Sequence, residues 1–116
     1  MTFAFEKLDI YQKSIDFVRD IRAFCKKTKT DYDILDQLKR AALSVSLNVA
    51  EGSGRWHKGE KKHFYYIARG SLYECIPILQ ILLSEELVTQ NQYNDLYEKA
   101  ENLAMMLTKL IQSINS

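Results

Sequence analysis

Apolar residues recur along this chain at intervals of three and four, in four successive stretches, and nowhere with a period of two. That spacing places them on one side of an α-helix, so the pattern predicts four amphipathic helices and no strands. The first runs from about Phe5 to Lys27 and carries Leu8, Tyr11, Ile15, Val18, Ile21 and Cys25 on its core face. A polar turn over Thr28 to Asp33 follows, in which Asp31 or Asp33 is available to accept from the free N–H groups of the next helix. The second helix spans about Tyr32 to Glu51 through Leu35, Leu38, Ala42, Val45 and Val49, and Gly52-Ser53-Gly54 is expected to end it as a glycine C-cap. The third begins near Lys58 to Glu60 and continues to about Glu86, with Phe64, Ile67, Ala68, Leu72, Cys75, Leu79 and Leu82 as its core face. Pro77 lies inside it and predicts a kink. Thr89 and Gln92 have the spacing of a capping box, opening a fourth helix that runs to about Ile114 through Tyr93, Leu96, Ala100, Leu103, Leu107 and Leu110.

Short connections between long amphipathic helices favour antiparallel neighbours, so the expected fold is all-α, an up-down-up-down antiparallel four-helix bundle; an irregular helical domain is the alternative. The 116 residues suit a single domain over 1–116, large enough for a core of its own. Aromatic residues exceed what one small bundle can bury. Phe64, Tyr65, Tyr66 and Tyr73 cover more than one side of the third helix, which points to a second buried surface, most simply against copies of the same chain.

A polar stripe interrupts the apolar pattern. Arg40, Ser44, Asn48 and Glu51 fall on one side of the second helix, and the third helix offers Arg69, Ser71 and Glu74 as partners. Polar groups beside an apolar face must meet water or each other, since a buried group left unpaired costs about 1–3 kcal/mol. The stripe reads as contacts that specify packing, not as a catalytic centre.

Charge changes the picture further. The total is +1, yet residues 39–69 carry +5 and residues 70–116 carry −4. The basic middle contains Arg55-Trp56-His57-Lys58, Lys61-Lys62-His63 and Tyr65-Tyr66. Cations attract phosphates and aromatic rings stack on unpaired bases, so this segment is a candidate RNA contact; a solvated charged surface has the same appearance in sequence. Lys58, Lys61 and Lys62 share a flank near the helix N-terminus, where the helix dipole favours anions.

Other chemistry finds little support. Glu60 and His63 match one Glu-x-x-His pair, but di-iron bundles need two such pairs and further carboxylates. Gly54 to Lys61 lacks the Ser/Thr and the preceding strand of a phosphate-binding loop. Cys25 and Cys75 sit among apolar helical positions and are expected to be buried, reduced thiols. No constellation argues for an enzyme, a metal or a cofactor. The N-terminus lacks the pattern of a signal peptide and no apolar run reaches the ~20 residues of a membrane span, so a cytoplasmic protein is expected.

The chain resembles the four-helix-bundle proteins encoded in intervening sequences of bacterial 23S ribosomal RNA genes, a ribosomal-protein-like family related to the accessory proteins of diversity-generating retroelements. The residues that carry the resemblance are Gln37-Leu38-Lys39-Arg40-Ala41-Ala42, Ser44, Asn48-Val49-Ala50-Glu51-Gly52, Gly54-Arg55, Ala68-Arg69-Gly70-Ser71-Leu72 and Glu74, with Phe5-Glu6-Lys7-Leu8 and Tyr11 at the start. One departure is Ser46, where the family commonly has proline, so a kink in the second helix is not expected. The resemblance implies a homo-oligomer, typically a pentameric ring, an association with nucleic acid, and no catalytic activity. It favours Lys39, Arg55, Trp56, Lys58, Lys61 and Lys62 as RNA contacts, and Arg40, Ser44, Asn48, Glu51, Arg69 and Glu74 as structural or subunit contacts. The competing implication is an adaptor ring that recruits a protein such as a reverse transcriptase.

Overall fold

The computed structural model describes residues 3–115. A short 3-10 helix, Ala4–Lys7, precedes four α-helices: α1 (Asp9–Lys27), α2 (Tyr32–Ser53), α3 (Lys58–Ser84) and α4 (Gln90–Asn115). The first helix of the sequence reading is therefore broken at Leu8, whose extended backbone (φ −75°, ψ 126°) turns the aromatic N-terminal segment away from the axis of α1. Cross-helix bonds show the helix directions. Gln37 meets Glu74, Ser44 meets Ser71, and Gly52 meets Lys61, so α2 and α3 run in opposite senses. Lys62 to Asn115, Arg69 to Thr108 and Gln80 to Tyr93 set α3 against α4 in the same way. Consequently α2 and α4 are parallel.

One apolar core runs the length of the bundle, built around Phe17, Ile21, Leu38, Val45, Val49, Leu72, Leu79, Leu82 and Leu107. The buried sector of α3 differs from the expected one. Ile67 is exposed and Phe64 half-buried, whereas Tyr65 and Ile78 are buried. In α1 the sequence reading missed Ile10, Ser14, Phe17 and Phe24, all buried. Buried Ser14 and Ser46 donate to the carbonyls of Tyr11 (2.6 Å) and Leu43 (3.0 Å) in the preceding turn, and α2 is continuous through Ser46. Among the described residues, no buried side-chain nitrogen or oxygen lacks a partner.

The helix ends have distinct physics. Asp31 stands at the N-cap of α2, but its side chain makes no capping bond. Gly54 caps the other end in the right-handed region (φ −86°), so the expected left-handed glycine cap is absent. Gly52 lies inside α2 and is buried because α3 approaches it: a methyl group there would stand 2.8 Å from Tyr65 Cε1 and 3.1 Å from Phe64 Cβ. Helix α3 continues through Pro77, which lies on the exposed side, where the carbonyl freed in the preceding turn can meet water. It ends in a Schellman motif, with Leu87 N–H donating to Leu82 O (2.9 Å), Glu86 N–H to Leu83 O (3.0 Å), and Glu86 in the left-handed region at φ 60°. The capping box is formed as the spacing predicts: Gln92 N–H donates to Thr89 Oγ1 (3.1 Å) and Thr89 N–H to Gln92 Oε1 (2.9 Å).

Candidate nucleic-acid interface

The end of the bundle where α2 stops and α3 starts gathers most of the basic segment. The connection is too short to fold back on itself, and it leaves Trp56 95% exposed. Arg55 pairs with Glu51 one turn back and reaches Glu60 (3.7 Å), while its guanidinium lies over the Phe64 ring, 4.8 Å from the centroid. Lys61 Nζ donates to the carbonyls of Gly52 (3.3 Å) and Ser53 (3.0 Å). Both carbonyls belong to the last turn of α2; that of Gly52 already accepts from Arg55 N–H (3.2 Å), so the ammonium adds a second bond there and meets the negative end of the helix dipole. Lys62 Nζ donates to Asn115 Oδ1 (2.9 Å) at the end of α4. Lys58 is exposed with no partner among the described residues, and His57 beside it is also exposed. The segment around Phe3 and Phe5 packs against this corner, forming with Glu51, Ser53 and Arg55 the walls of an open depression of about 360 Å³. Sequence reading did not bring Phe3 here; the only available signal was an aromatic pair just before a helix start.

Lys39 lies apart from the other five. It is fourteen residues before Ser53 at the end of α2, roughly 21 Å along the axis at 1.5 Å per residue, and its Nζ sits 5.8 Å from the Tyr32 ring centroid. The side chains at the corner divide into those already used by the fold and those left free. Lys61 and Lys62 hold helix ends; Trp56 and Lys58 hold nothing. Arg55 is intermediate, because exposed pairs between successive helical turns contribute only about 0.3–0.5 kcal/mol and exchange readily for another anion.

The polar stripe resolves into two groups. Ser44 and Ser71 hydroxyls bond across the α2–α3 seam at 2.8 Å, and Asn48 Nδ2 donates to Ser44 O (2.8 Å) and Oγ (3.0 Å). Gln37, rather than a member of the expected stripe, donates to Glu74 Oε1 at 3.0 Å. Arg69 turns away from α2; it donates to Thr108 Oγ1 on α4 (3.1 Å) and covers Tyr66, 5.1 Å from that ring's centroid. Arg40 and Glu51 make no bond to α3: Arg40 pairs with Asp36 (2.8 Å) and Glu51 with Arg55 just past the end of α2, and their side chains are 80% and 52% exposed.

Both cysteines are buried and unbridged, as expected. Burial pushes the Cys75 thiol up to about 12, with the Glu74 carboxylate adding to the rise, and burial raises Cys25 against the opposing influence of Lys39 and Arg22. Neither has the depressed value of a nucleophilic thiolate. Glu60 and His63 are exposed, and no three His, Cys, Asp or Glu side chains among the described residues gather as metal ligands. A second surface feature escaped the sequence reading: an apolar groove of about 520 Å³ between α3 and α4, walled by Tyr73, Ile76, Tyr97, Ala104 and Met105.

A sequence model of the 23S rRNA-intervening sequence protein family matches residues 6–109. No curated protein matches the chain. Among solved structures, the chain is similar to a protein of unknown function from the S23 ribosomal protein family of Bacteroides thetaiotaomicron VPI-5482, a crystal structure at 1.70 Å resolution. The likeness has a TM-score of 0.84 at 20% identity and covers 88% of this chain and 97% of that one. At that identity it speaks for the bundle alone.

Proposed function

The chain belongs to the 23S rRNA-intervening sequence protein family, and from that premise we propose that it is a non-enzymatic protein that binds single-stranded RNA and assembles with copies of itself into a ring, of five as the family resemblance implies. The observation that carries the RNA reading is Trp56. A whole indole held in water forgoes the burial that most tryptophans gain, and here it stands between Arg55, His57 and Lys58 at an exposed corner. Base stacking covers such a ring, and neighbouring cations meet the phosphates on either side. A ring would present the corner several times, so that weak contacts add through effective concentration. No helix of the described residues is long and apolar enough to cross a membrane, which agrees with a cytoplasmic RNA partner.

Trp56 is the only tryptophan, so its fluorescence reports directly on stacking. Titration with single-stranded RNA over a salt series should quench it, with log K falling as log salt rises, by about 0.7 per phosphate contact. Lys58→Gln should flatten that slope by about one contact. Trp56→Ala, followed through a labelled RNA, should weaken binding by about 1–3 kcal/mol with the slope unchanged. Lys61→Gln is a poor probe, because it also frees the end of α2. Absence of binding at low salt refutes the RNA reading. It would favour the second reading, an adaptor ring that recruits a protein such as a reverse transcriptase.

A further inference from the structure

We propose that α2 of one copy lies in the α3–α4 groove of the next, head to tail and parallel to its α4, so that each subunit uses two different faces. This rests on the self-association proposed above and specifies its contact. Helix α2 presents an outward ridge, Leu43 and Leu47, one turn apart and exposed, with Leu47 at 58%. Arg40 precedes the ridge and Glu51 follows it. Arg40 pairs only with Asp36 one turn back and Glu51 only with Arg55 just past the end of α2; both pairs are exposed, so an incoming partner can take either side chain over. Tyr73 and Met105, 58% and 55% exposed, flank the groove, which has room for a row of side chains.

Charge order selects the occupant. Along α2 the sequence of features is cation, apolar ridge, anion: Arg40, Leu43 and Leu47, Glu51. Along the α4 wall of the groove the order is reversed in sign: Glu101, then Ala104 and Met105, then Lys109. Laid parallel, the two series match at all three positions, Arg40 against Glu101, ridge against apolar floor, and Glu51 against Lys109. Laid antiparallel, like charges oppose. The eleven steps from Arg40 to Glu51 span about 16 Å and the eight from Glu101 to Lys109 about 12 Å, a difference that long Arg and Lys side chains bridge.

The parallel sense has a consequence for symmetry. Within one chain α2 and α4 already run the same way, so copies related by rotation about an axis along the bundle keep α2 parallel to the neighbour's α4. A two-fold axis across the bundle would reverse one of them. Heterologous contacts of this kind close into rings when the rotation divides the circle. The ridge and the groove occupy different faces of the molecule, and one subunit can engage a neighbour on each side.

Sedimentation velocity at micromolar concentration tests this. The parent chain is expected to sediment as an oligomer, and Leu47→Glu and Met105→Glu each as a monomer with unchanged helical circular dichroism, because both side chains face solvent in the single subunit. Mixing the two variants should yield a dimer and nothing larger, since one intact ridge meets one intact groove. Arg40→Glu should weaken assembly, and adding Glu101→Arg should restore it. An oligomer that survives both Leu47→Glu and Met105→Glu, or a mixture that stays monomeric, overturns the ridge-in-groove contact while leaving self-association standing. A monomeric parent overturns both and leaves the groove to a helix from another protein.

Discussion

Gly52→Ala is the sharpest test of how α2 and α3 come together. In a helix interior, alanine is favoured over glycine by about 0.5–1 kcal/mol, so helix propensity predicts stabilisation. Tertiary structure predicts the reverse. The new methyl group would lie 2.8 Å from Tyr65 Cε1, 3.0 Å from Cδ1 and 3.1 Å from Phe64 Cβ. Tyr65 is buried and cannot swing into water, and Phe64 Cβ is fixed to the backbone, so relief requires α3 to move away from α2. Overpacking of this sort costs about 1–3 kcal/mol, which offsets or exceeds the propensity gain. Gly70→Ala supplies the control. It too is inside a helix, but nothing lies within 4 Å of the added methyl, so only the propensity gain of about 0.5–1 kcal/mol remains. Urea unfolding of the three proteins should place Gly70→Ala above the parent and Gly52→Ala below Gly70→Ala by about 1–3 kcal/mol. In a Tyr65→Leu background, the cost of Gly52→Ala should shrink. Equal stabilisation by the two glycine substitutions would refute the close approach of α3 to Gly52.

Thr89→Ala removes one half of the reciprocal cap and should lower stability by about 1 kcal/mol in thermal unfolding, with Gln92→Ala costing a similar amount or less. Cys75 gives a pH signature. Its folded value is raised from 9.0 to about 12, so as pH climbs through that window the unfolded chain releases the thiol proton first and stability falls; Cys75→Ala should flatten that part of the stability profile. The same protonation makes the native thiol slow toward an aromatic disulfide reagent, and unfolding in urea should release its reactivity.

Local and periodic features were legible in the chain itself. Four amphipathic stretches became four helices because an apolar stripe with the helical period has one good solution, burial against other stripes. The Thr89–Gln92 cap formed because both partners lie within one turn and need nothing from elsewhere. The family was legible for a related reason, since most of the residues that carry the resemblance lie close together in the chain, within 37–55 and 68–74. What the sequence left open depended on which neighbour each side chain faces. Tyr65 and Ile67 lie on opposite edges of the apolar stripe of α3, and the angle at which α2 and α4 approach decided that tyrosine goes in and isoleucine stays out. Gly52 resembled part of a helix stop, yet its role is to admit an aromatic ring from α3. Arg69 had a plausible partner on α2 and found Thr108 on α4 instead, because a long side chain at the seam is drawn to whichever acceptor the packing brings close. Lys61 counted as one more cation in the basic segment until α2 ended beside it and turned the carbonyls of Gly52 and Ser53 toward its ammonium. Periodicity fixes the identity of a helix face to within a turn; the partner across that face is set by the crossing of helices distant in sequence, and only the assembled bundle contains that information.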